Sequence, residues 1–219
     1  MLGVLVTLLS LILAAVFSPI LALREIRVEG ASRVDPVAIH AAVEGQLGTP
    51  LALLDTGRLT AELGQFPLIR SYVTQIIPPE TLVIRIVERQ PVGAIGSGAR
   101  YTLVDPAGVV VQESTERPAG IPLINIGTAS TSSDVFDSVV EVLLALPPSL
   151  LAQVDTVTAT TQDDVALVLT GVGQSVTWGS ADQSAQKAAL LAALIAVTDP
   201  SRPGEFDVSA PSNGVFRPA

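Results

Sequence analysis

Cysteine is absent from this 219-residue sequence, which excludes disulfide bonds, zinc sites built on cysteine and thiol nucleophiles. Aromatic residues make up only 4% of the chain, whereas 48% of it is hydrophobic, so the core must be built from valine, leucine, isoleucine and alanine. Runs rich in valine and threonine, separated by glycine and proline, indicate strands joined by turns.

Basic residues are also scarce. The chain carries 12 lysines and arginines against 21 aspartates and glutamates, which gives a formal net charge of −9. Nucleic-acid binding needs a basic patch that neutralises phosphates, and no such patch is visible in the sequence. We therefore expect no nucleic-acid partner.

Few residues could carry enzyme chemistry. His40 is the single histidine, and the chain has neither a cysteine nor a G-x-S-x-G serine for it to activate. Asp163 and Asp164 lie between two predicted strands, which favours a solvated turn over a metal or acid–base pair. Trp178, the single tryptophan, is expected in the core. We predict no catalytic, cofactor-binding or metal-binding residues, no cofactor and no small-molecule substrate.

The first 23 residues contain no charged side chain, and residues 1–23 are predicted to form a transmembrane helix. As a helix, the 22-residue run Leu2–Leu23 would reach about 33 Å, enough for a hydrocarbon core of about 30 Å. A signal peptide is the alternative, but its apolar region is usually shorter, follows basic residues and precedes a cleavage site. Because Arg24 and Arg27 follow the helix, the positive-inside rule leads us to expect a basic cytoplasmic segment before Met1.

Residues 24–90 are predicted to form an α+β domain. Apolar and charged side chains alternate over residues 23–30, as in a half-buried strand. Residues 69–77 and 82–88 are predicted strands on either side of a Pro-Pro-Glu-Thr turn. Two helices fit between the first strand and this pair, so the order is β-α-α-β-β. A three-stranded sheet with two helices on one face satisfies this order, and that is the topology of a POTRA domain.

The two helices of this domain have clear start signals. Asp35 is expected to cap the first helix, with Pro36 at the first helical position. The second helix is predicted to begin at Asp55 and to end before Pro67. The apolar face of each helix has residues four positions apart: Ile39, Val43 and Leu47 in the first helix, which Gly48 ends, and Leu59 and Leu63 in the second.

Residues 91–210 are predicted to form a mixed, mainly antiparallel β domain with two or more helices. Asp105–Gly108 has the Asp-Pro-x-Gly pattern between two apolar runs, which is a good hairpin signal. Gly93, Gly96 and Gly98 do not follow the G-x-G-x-x-G order, and we expect them in a loop between the domains. The other predicted elements are a helix over 133–146, strands over 154–158, 165–169 and 174–178, a helix capped by Asp182, and a closing strand pair over 205–209 and 214–217.

Seven short motifs, taken in chain order, share their spacing with one protein family. They are Val28-Glu29-Gly30, the interval from Pro67 to Pro79, Pro79–Ile84, Glu88–Val92, Tyr101–Val110, Leu167–Gly179 and Phe206-Asp207-Val208. Each motif is weak alone, but seven in order together with the apolar N-terminal segment make a strong signal, and the resemblance covers residues 2–217. The sequence resembles the FtsQ/DivIB family of bacterial cell-division proteins, in an actinobacterial-like form.

The resemblance implies a single-pass membrane protein of four segments. These are a transmembrane helix over 1–23, a POTRA domain over 24–90, an FtsQ-type β domain over 91–210 and a C-terminal strand and tail over 211–219. It implies that the N-terminus is cytoplasmic, that both domains lie outside the cytoplasmic membrane, and that the protein is located at the division septum. It also implies a non-enzymatic scaffold for FtsB- and FtsL-type partners and possibly other division proteins, which through them regulates septal peptidoglycan synthesis.

The partner-binding residues that the resemblance implies lie on two strand edges. In the family, the FtsB-like partner pairs with the last strands of the second domain through an exposed edge. Carried over by position, these residues are Ala210, Ser212, Gly214, Val215, Phe216 and Arg217. Phe216 is expected either to anchor the partner or to complete the core. Thr74 and Ile76 on the POTRA edge form a second candidate, although Gln75, Ile76 and Ile77 stand where the family often has basic residues.

Two other classes of function remain open. A POTRA-containing secretion or assembly factor is one, because POTRA domains also occur in such proteins. A membrane-anchored hydrolase is the other, and an activity screen against peptidoglycan or peptides would test it.

Overall fold

The computed structural model describes residues 3, 4, 6–8, 10 and 18–219 of the chain. These residues divide into two compact units, with the boundary between Arg89 and Gln90. Each unit combines helices and strands around its own hydrophobic core.

The prediction that residues 1–23 form a transmembrane helix is wrong. In the described part of the chain, no helix is long and apolar enough to cross a membrane. Towards the end of the predicted segment, Pro19–Leu21 form a short 3-10 helix. Leu23 is fully buried in the core of the first unit, and its N–H donates to the Thr49 carbonyl at 2.9 Å, so packing within the unit determines its position. The parts of the predicted helix that lie outside the described residues are 1, 2, 5, 9 and 11–17.

The first unit is a three-stranded sheet with two helices, in the predicted β-α-α-β-β order. Its elements are β1 (Glu25–Glu29), α1 (Pro36–Val43), α2 (Thr56–Leu63), β2 (Ile69–Ile77) and β3 (Thr81–Glu88), with short 3-10 helices over Glu44–Gln46 and Leu51–Leu53. The strand order is β1-β3-β2, with β1 parallel and β2 antiparallel to β3. β2 is therefore an edge strand, and within the described residues no strand pairs with its outer side.

Both helices of the first unit begin where the sequence predicts. The carboxylate of Asp35 accepts a hydrogen bond from the Val37 N–H at 2.9 Å. Asp55 accepts one from the Arg58 N–H, also at 2.9 Å. Each aspartate satisfies an N–H group that the first turn of a helix leaves without a partner, which explains both start positions.

The end of α1 differs from the prediction. The α-helix stops at Val43 and a 3-10 helix over Glu44–Gln46 follows, so the angular spacing of the residues changes there. Leu47 therefore leaves the apolar face and is 40% exposed. Gln46 is buried instead, and its side-chain amide bonds to both the carbonyl and the N–H of Asp55. This pair of hydrogen bonds connects the end of α1 to the start of α2.

The helices of the first unit cover one face of its sheet. Alternate residues of β3 point to the helices, as the period-two pattern predicts. The buried apolar cluster consists of Leu23, Ile26, Val34, Ile39, Val43, Leu51, Leu59, Leu63, Leu82, Ile84 and Ile86. On the opposite face of β3, Arg85 and Val87 are exposed.

Gly30 follows β1 in a conformation that glycine adopts most easily. Its φ is +82°, and a Cβ there would lie 2.3 Å from the Ile86 carbonyl oxygen. Gly48 has a φ of +83°, but among the described residues other than its chain neighbours no atom lies within 4 Å of the position of its Cβ. We expect Gly48→Ala to lower the free energy of unfolding by about 1 kcal/mol through backbone strain alone, and Gly30→Ala by about 3 kcal/mol because the Ile86 carbonyl must also move. Urea unfolding followed by circular dichroism measures both, and equal losses would contradict the steric explanation.

The second unit is built on a single mixed sheet of nine strands. Its elements are β4 (Gly93–Ser97), β5 (Arg100–Val104), β6 (Val110–Ser114), β7 (Leu123–Asn125), α3 (Asp134–Ala145), α4 (Pro148–Leu151), β8 (Val154–Thr158), β9 (Val165–Leu169), β10 (Ser175–Gly179), α5 (Ser184–Val197), β11 (Gly204–Asp207) and β12 (Val215–Pro218). The strand order is β12-β11-β10-β9-β8-β7-β4-β5-β6. Most neighbouring pairs are antiparallel, as predicted, and β12 and β6 form the two edges.

The core of the second unit lies between the sheet and the helices α3 and α5. Phe136 of α3, Leu191 of α5, Phe206 of β11 and Trp178 of β10 are all fully buried there. Trp178 therefore has the core position that the sequence predicts. The predicted hairpin is also confirmed, since the Asp105 carboxylate accepts hydrogen bonds from two N–H groups of the turn between β5 and β6.

Two predictions for the second unit are wrong. Gly93–Ser97 form a strand inside the sheet, although the glycine-rich sequence predicts a loop. A Cβ at Gly93 would lie 2.4 Å from Cδ1 of Ile124 on the adjacent β7, so the glycine permits the close approach of the two strands. The last helix is preceded by Gln183 at a φ of +56° and is not capped by Asp182, because the chain enters the helix through a left-handed residue.

Candidate protein-binding edges

The last strand, β12, contains three of the residues expected to bind a partner. It pairs antiparallel with β11, with Phe216 opposite Phe206. The Ala219 N–H donates to the Pro203 carbonyl at 3.1 Å, so Ala219 and Pro203 form a hydrogen-bonded pair. Hydrogen-bonded and non-hydrogen-bonded pairs alternate along an antiparallel ladder. Phe216 lies three positions before Ala219 and is therefore in a non-hydrogen-bonded pair, so its own N–H and C=O point away from β11. Within the described residues, no strand pairs with that outer side of β12.

The side chain of Phe216 is half-buried. Its ring centroid lies 4.7 Å from that of the fully buried Phe206, with 43° between the ring planes. A Cβ at Gly204 would lie 2.6 Å from Cζ of Phe216, so the glycine makes room for the ring. The ring therefore contributes to the core, while the backbone of the same residue remains available at the edge.

Val215 and Arg217 lie on the other face of β12, which is open to solvent. Nη2 of Arg217 lies 3.2 Å from Oδ2 of Asp207, and its Nη1 lies 3.9 Å from Oε2 of Glu205. A hydrogen bond from the Ser209 hydroxyl is the main cause that lowers the pKa of Asp207, and Arg217 adds to it. Val215, opposite Asp207, is 41% exposed. A strand added to β12 would meet an exposed valine and a charged group on this face.

The turn that leads from β11 into β12 contains the other predicted residues. The Asn213 N–H donates to the Ala210 carbonyl at 3.2 Å, and Ala210 and Ser212 are both exposed. Gly214 packs against α5, because a Cβ there would lie 2.8 Å from Cδ1 of Leu194. The turn thus offers small exposed groups, and α5 closes it on one side.

The second predicted site lies on the β2 edge of the first unit. Thr74 and Ile76 are exposed and stand opposite Ile84 and Leu82 of β3, whose side chains point to the helices. Cross-strand neighbours share a face of the sheet, so both residues face the helix side. Together with Leu59 of α2 they line a cavity of about 300 Å³. The structure therefore brings both predicted residues to one concave surface.

Comparison with known proteins assigns the chain to a family. The family described as "Cell division protein FtsQ/DivIB, C-terminal" matches residues 94–208, more than half of the chain. The chain belongs to the FtsQ/DivIB family of cell division proteins. The family described as "POTRA domain, FtsQ-type" matches residues 21–89. The resemblance inferred from the seven motifs is confirmed.

Relatives named cell division protein FtsQ occur in several actinobacteria. The one from Mycobacterium leprae is 34% identical over 199 residues, covering 91% of this chain and 57% of that protein. The one from Streptomyces bingchenggensis is 32% identical over 207 residues, covering 88% of this chain and 74% of that protein. This chain thus spans little more than half the length of the mycobacterial relative. A solved extracytoplasmic domain of DivIB from Geobacillus stearothermophilus is 18% identical, covering 52% of this chain and 99% of that chain, with a TM-score of 0.39.

Glu88 of this FtsQ/DivIB-family chain has a structural role that sequence reasoning missed. Its Oε1 accepts hydrogen bonds from the N–H groups of Ser32, Arg33 and Val34 at 2.8, 2.8 and 2.9 Å. Burial alone would raise the pKa of Glu88, but these hydrogen bonds outweigh it and lower the pKa to about 2. One signal was available in the sequence: Glu88 is in phase with the inward-facing residues of β3, and a carboxylate at such a position needs partners.

Lys187, the single lysine, is a second buried charged group that sequence reasoning missed. It is 2% exposed, and its Nζ donates to the carbonyl oxygens of Ser180 at 2.8 Å and Trp178 at 3.2 Å. Burial lowers the pKa of Lys187, while the charge of Asp182 raises it. The Trp178 indole N–H donates to the Ser184 hydroxyl at 3.1 Å. These bonds connect β10 to the start of α5.

The residues considered for enzyme chemistry lie on a helix of the first unit and in a turn of the second unit. His40 is half-buried in the last turn of α1. Asp163 and Asp164 are exposed in a turn, as expected, and Asp164 accepts hydrogen bonds from the N–H groups of Thr160 and Thr161 at 2.8 Å. The hydroxyl of Thr160 is the main cause that lowers the pKa of Asp164. Across the described ranges, no group of three or more histidines and carboxylates is placed to hold a metal ion.

Proposed function

We propose that this chain is a non-enzymatic scaffold of the bacterial divisome. It recruits or regulates FtsB- and FtsL-type partners, and through them septal peptidoglycan synthesis. Membership of the FtsQ/DivIB family supports a place in cell division. The observation that carries the binding role is the outer side of β12, where Phe216 directs its N–H and C=O away from the sheet. The two units act at the septum, on the outer side of the cytoplasmic membrane.

The proposed binding mode is the addition of a partner strand to β12. Hydrogen bonds to the outward backbone of Phe216 supply affinity, and contacts with Val215 and Arg217 supply specificity. Ala210 and Ser212 extend the contact along the exposed turn. The proposed partner-binding residues of this edge are thus the six that the resemblance implied, with Gly214 acting through its close backbone packing.

The charge of the second unit indicates which partner segment suits it. Residues 90–219 contain 13 acidic and five basic side chains, so this unit carries most of the negative charge of the chain. Complementary charge speeds association and suppresses wrong partners. We therefore expect the partner segment that flanks its added strand to be basic, and its association rate to fall as salt is added.

The test of this function is depletion of the protein in its host, with a fluorescent copy followed by microscopy. Long or branched cells without septa, together with fluorescence concentrated at division sites, are the expected result. Normal septation with fluorescence spread evenly around the cell would reject the scaffold role in division.

Substitution of Val215 tests the edge itself. Val215→Asp places a charge on the open face of β12, and we expect it to weaken binding of an FtsB-type partner about tenfold, or about 1.4 kcal/mol. Val110→Asp is the matched control, because Val110 is 48% exposed at the start of β6 on the opposite edge of the same sheet. Titration of the purified chain with the partner measures both variants. Equal affinities for the two variants would exclude β12 as the binding edge.

A further inference from the structure

We propose that one end of the first unit binds the surface of a phospholipid bilayer through apolar side chains. This surface, termed the apolar end, consists of Ile20, Leu21, Pro50, Ala52 and Leu53. The contact is interfacial: the side chains enter the boundary between headgroups and acyl chains, and the contact requires no segment that crosses the bilayer. The proposal goes beyond the scaffold function and rests on it only in taking the membrane to be the one beside which the two units act.

The backbone brings the apolar end together from two segments of the chain. Ala22 forms an isolated antiparallel bridge with Pro50. Beside this bridge, the Leu23 N–H donates to the Thr49 carbonyl at 2.9 Å. Because the two segments are antiparallel, the chain before Ala22 and the chain after Pro50 leave the bridge in the same direction. Each then enters a short 3-10 helix, and the two helices form one end of the unit.

The large apolar side chains of these two turns are directed into solvent. Ile20 is 68% exposed and Leu53 is 50% exposed. Leu51, in the same turn as Leu53, is buried in the core of the first unit, and Leu23 is fully buried just after the other turn. These buried neighbours fix both turns, so Ile20 and Leu53 are held outwards by the packing of the unit.

No charged residue occurs in the segments that form the apolar end. Residues 1–23 and 45–54 contain neither an acidic nor a basic side chain. Val4, Val6 and Leu8, which precede the apolar end in the chain, are each more than half exposed. An exposed apolar surface without charge marks an interaction site. At a bilayer, these side chains would leave water for hydrocarbon, which is favourable in proportion to the apolar area that is buried.

The chemistry of the apolar end favours lipid over a protein partner. Protein interfaces are enriched in aromatic residues and arginine and contain hydrogen bonds throughout. The apolar end has no aromatic residue, and none of its side chains can donate or accept a hydrogen bond. It also continues directly from the uncharged N-terminal run. Hydrocarbon needs apolar area alone, and that is what this surface offers.

The distribution of charge between the units favours contact through the first unit. Residues 1–89 carry eight acidic and seven basic side chains, a net charge of −1. Residues 90–219 carry 13 acidic and five basic side chains, a net charge of −8. Anionic headgroups repel negative charge within about a Debye length of the surface. The first unit therefore approaches an anionic bilayer at a much smaller electrostatic cost than the second.

A fluorescent probe at position 53 tests this contact. The chain has no cysteine, so Leu53→Cys in the full chain takes a single environment-sensitive label. Leu144→Cys is the matched control, because Leu144 is a 63% exposed leucine in α3 of the second unit. With vesicles of phosphatidylglycerol and phosphatidylethanolamine, we expect nitroxide lipids to quench the probe at position 53 and aqueous iodide to quench the probe at position 144. Equally strong iodide quenching of both probes would overturn the proposal.

A charge at the apolar end separates lipid contact from mere nearness to the membrane. Here the probe is attached to Ile20→Cys, and Leu53→Glu is added. Losing the burial of one leucine should lower the ratio of lipid-contacting to free molecules about tenfold. Leu144→Glu adds the same charge elsewhere and should leave quenching by nitroxide lipids unchanged. Equal quenching in the two glutamate variants would show that the apolar side chains do not hold the unit on the bilayer.

Measurements without lipid identify any other occupant. If the probe at position 53 becomes protected from iodide as the concentration of the chain rises, a second copy covers the apolar end and the proposal is wrong. Protection that needs an FtsB-type partner in place of lipid would reject it as well. Val215→Asp should leave lipid contact unchanged, since it alters β12 alone. Septation defects on depletion, without lipid contact at position 53, would reject the apolar end and leave the divisome function standing.

Discussion

Replacing Glu88 by alanine is expected to lower the free energy of unfolding of the first unit by about 3 kcal/mol. The carboxylate is 5% exposed and accepts hydrogen bonds from three backbone N–H groups in the loop between β1 and α1. Removing it leaves these donors without their acceptor, and a buried unsatisfied group costs about 1–3 kcal/mol. Water entering from the partly exposed Arg33 side offsets part of that cost.

Acid should weaken the same contact. The pKa of Glu88 is lowered from 4.5 to about 2 in the folded protein, so the unfolded chain binds the proton more readily. The stabilisation is present above about pH 4.5 and is lost as the pH falls from there to about 2. A full conversion of the shift would give about 3 kcal/mol, and we expect about 2 kcal/mol because solvent near Arg33 screens part of it. Glu88→Ala should lack this pH dependence.

Hydrogen exchange measures this prediction at the residues concerned. Protection of the amides of Ser32, Arg33 and Val34 should fall sharply in Glu88→Ala. The control is Glu29→Ala, since Glu29 forms an ion pair with Arg85 in which both side chains are at least half exposed, and such pairs contribute about 0–1 kcal/mol. Unchanged protection in Glu88→Ala, or the same loss in both variants, would show that the contact does not hold this loop.

Replacing Lys187 by alanine is expected to destabilise the second unit by about 3 kcal/mol. The side chain is 2% exposed, and its ammonium group donates to the carbonyls of Trp178 and Ser180. Alanine removes both hydrogen bonds and leaves a cavity in the core. Lys187→Met keeps the length of the apolar stem, so we expect a loss of only about 1–2 kcal/mol.

The fluorescence of the single tryptophan follows this unfolding directly. Trp178 lies in the second unit and contacts Lys187, so urea unfolding followed by its emission reports on the affected core. Stability should also rise as the pH rises through the lowered pKa of Lys187 towards 10.5, because the unfolded chain holds that proton longer. If alanine and methionine cost the same, the cavity is not part of the effect. If neither variant shifts the transition, the buried lysine carries no stability.

Where the sequence failed, the failure involves contacts between distant residues. Glu88 accepts hydrogen bonds from N–H groups that are 54 to 56 positions away in the sequence, and no local pattern connects them. Gly93 suggested a loop because glycine disfavours strands, yet the neighbouring Ile124 makes glycine the residue that fits. The prediction placed Leu23 in a membrane helix because an apolar run has the same sequence pattern in a bilayer and in a protein core. In the structure, Leu23 packs in the core of the first unit.

By itself, the sequence determined the features that depend on near neighbours. These features are the helix starts at Asp35 and Asp55, the Asp105 turn and the alternation in β3. Each depends on interactions between residues a few positions apart, so a short segment of sequence is enough to predict it. The order and spacing of the motifs were likewise enough to predict the family. Only the tertiary structure decided which strands lie at the edges of the two sheets and that Phe216 directs its backbone outwards. Those properties depend on which strands become neighbours, and strand pairing joins segments that the sequence leaves far apart.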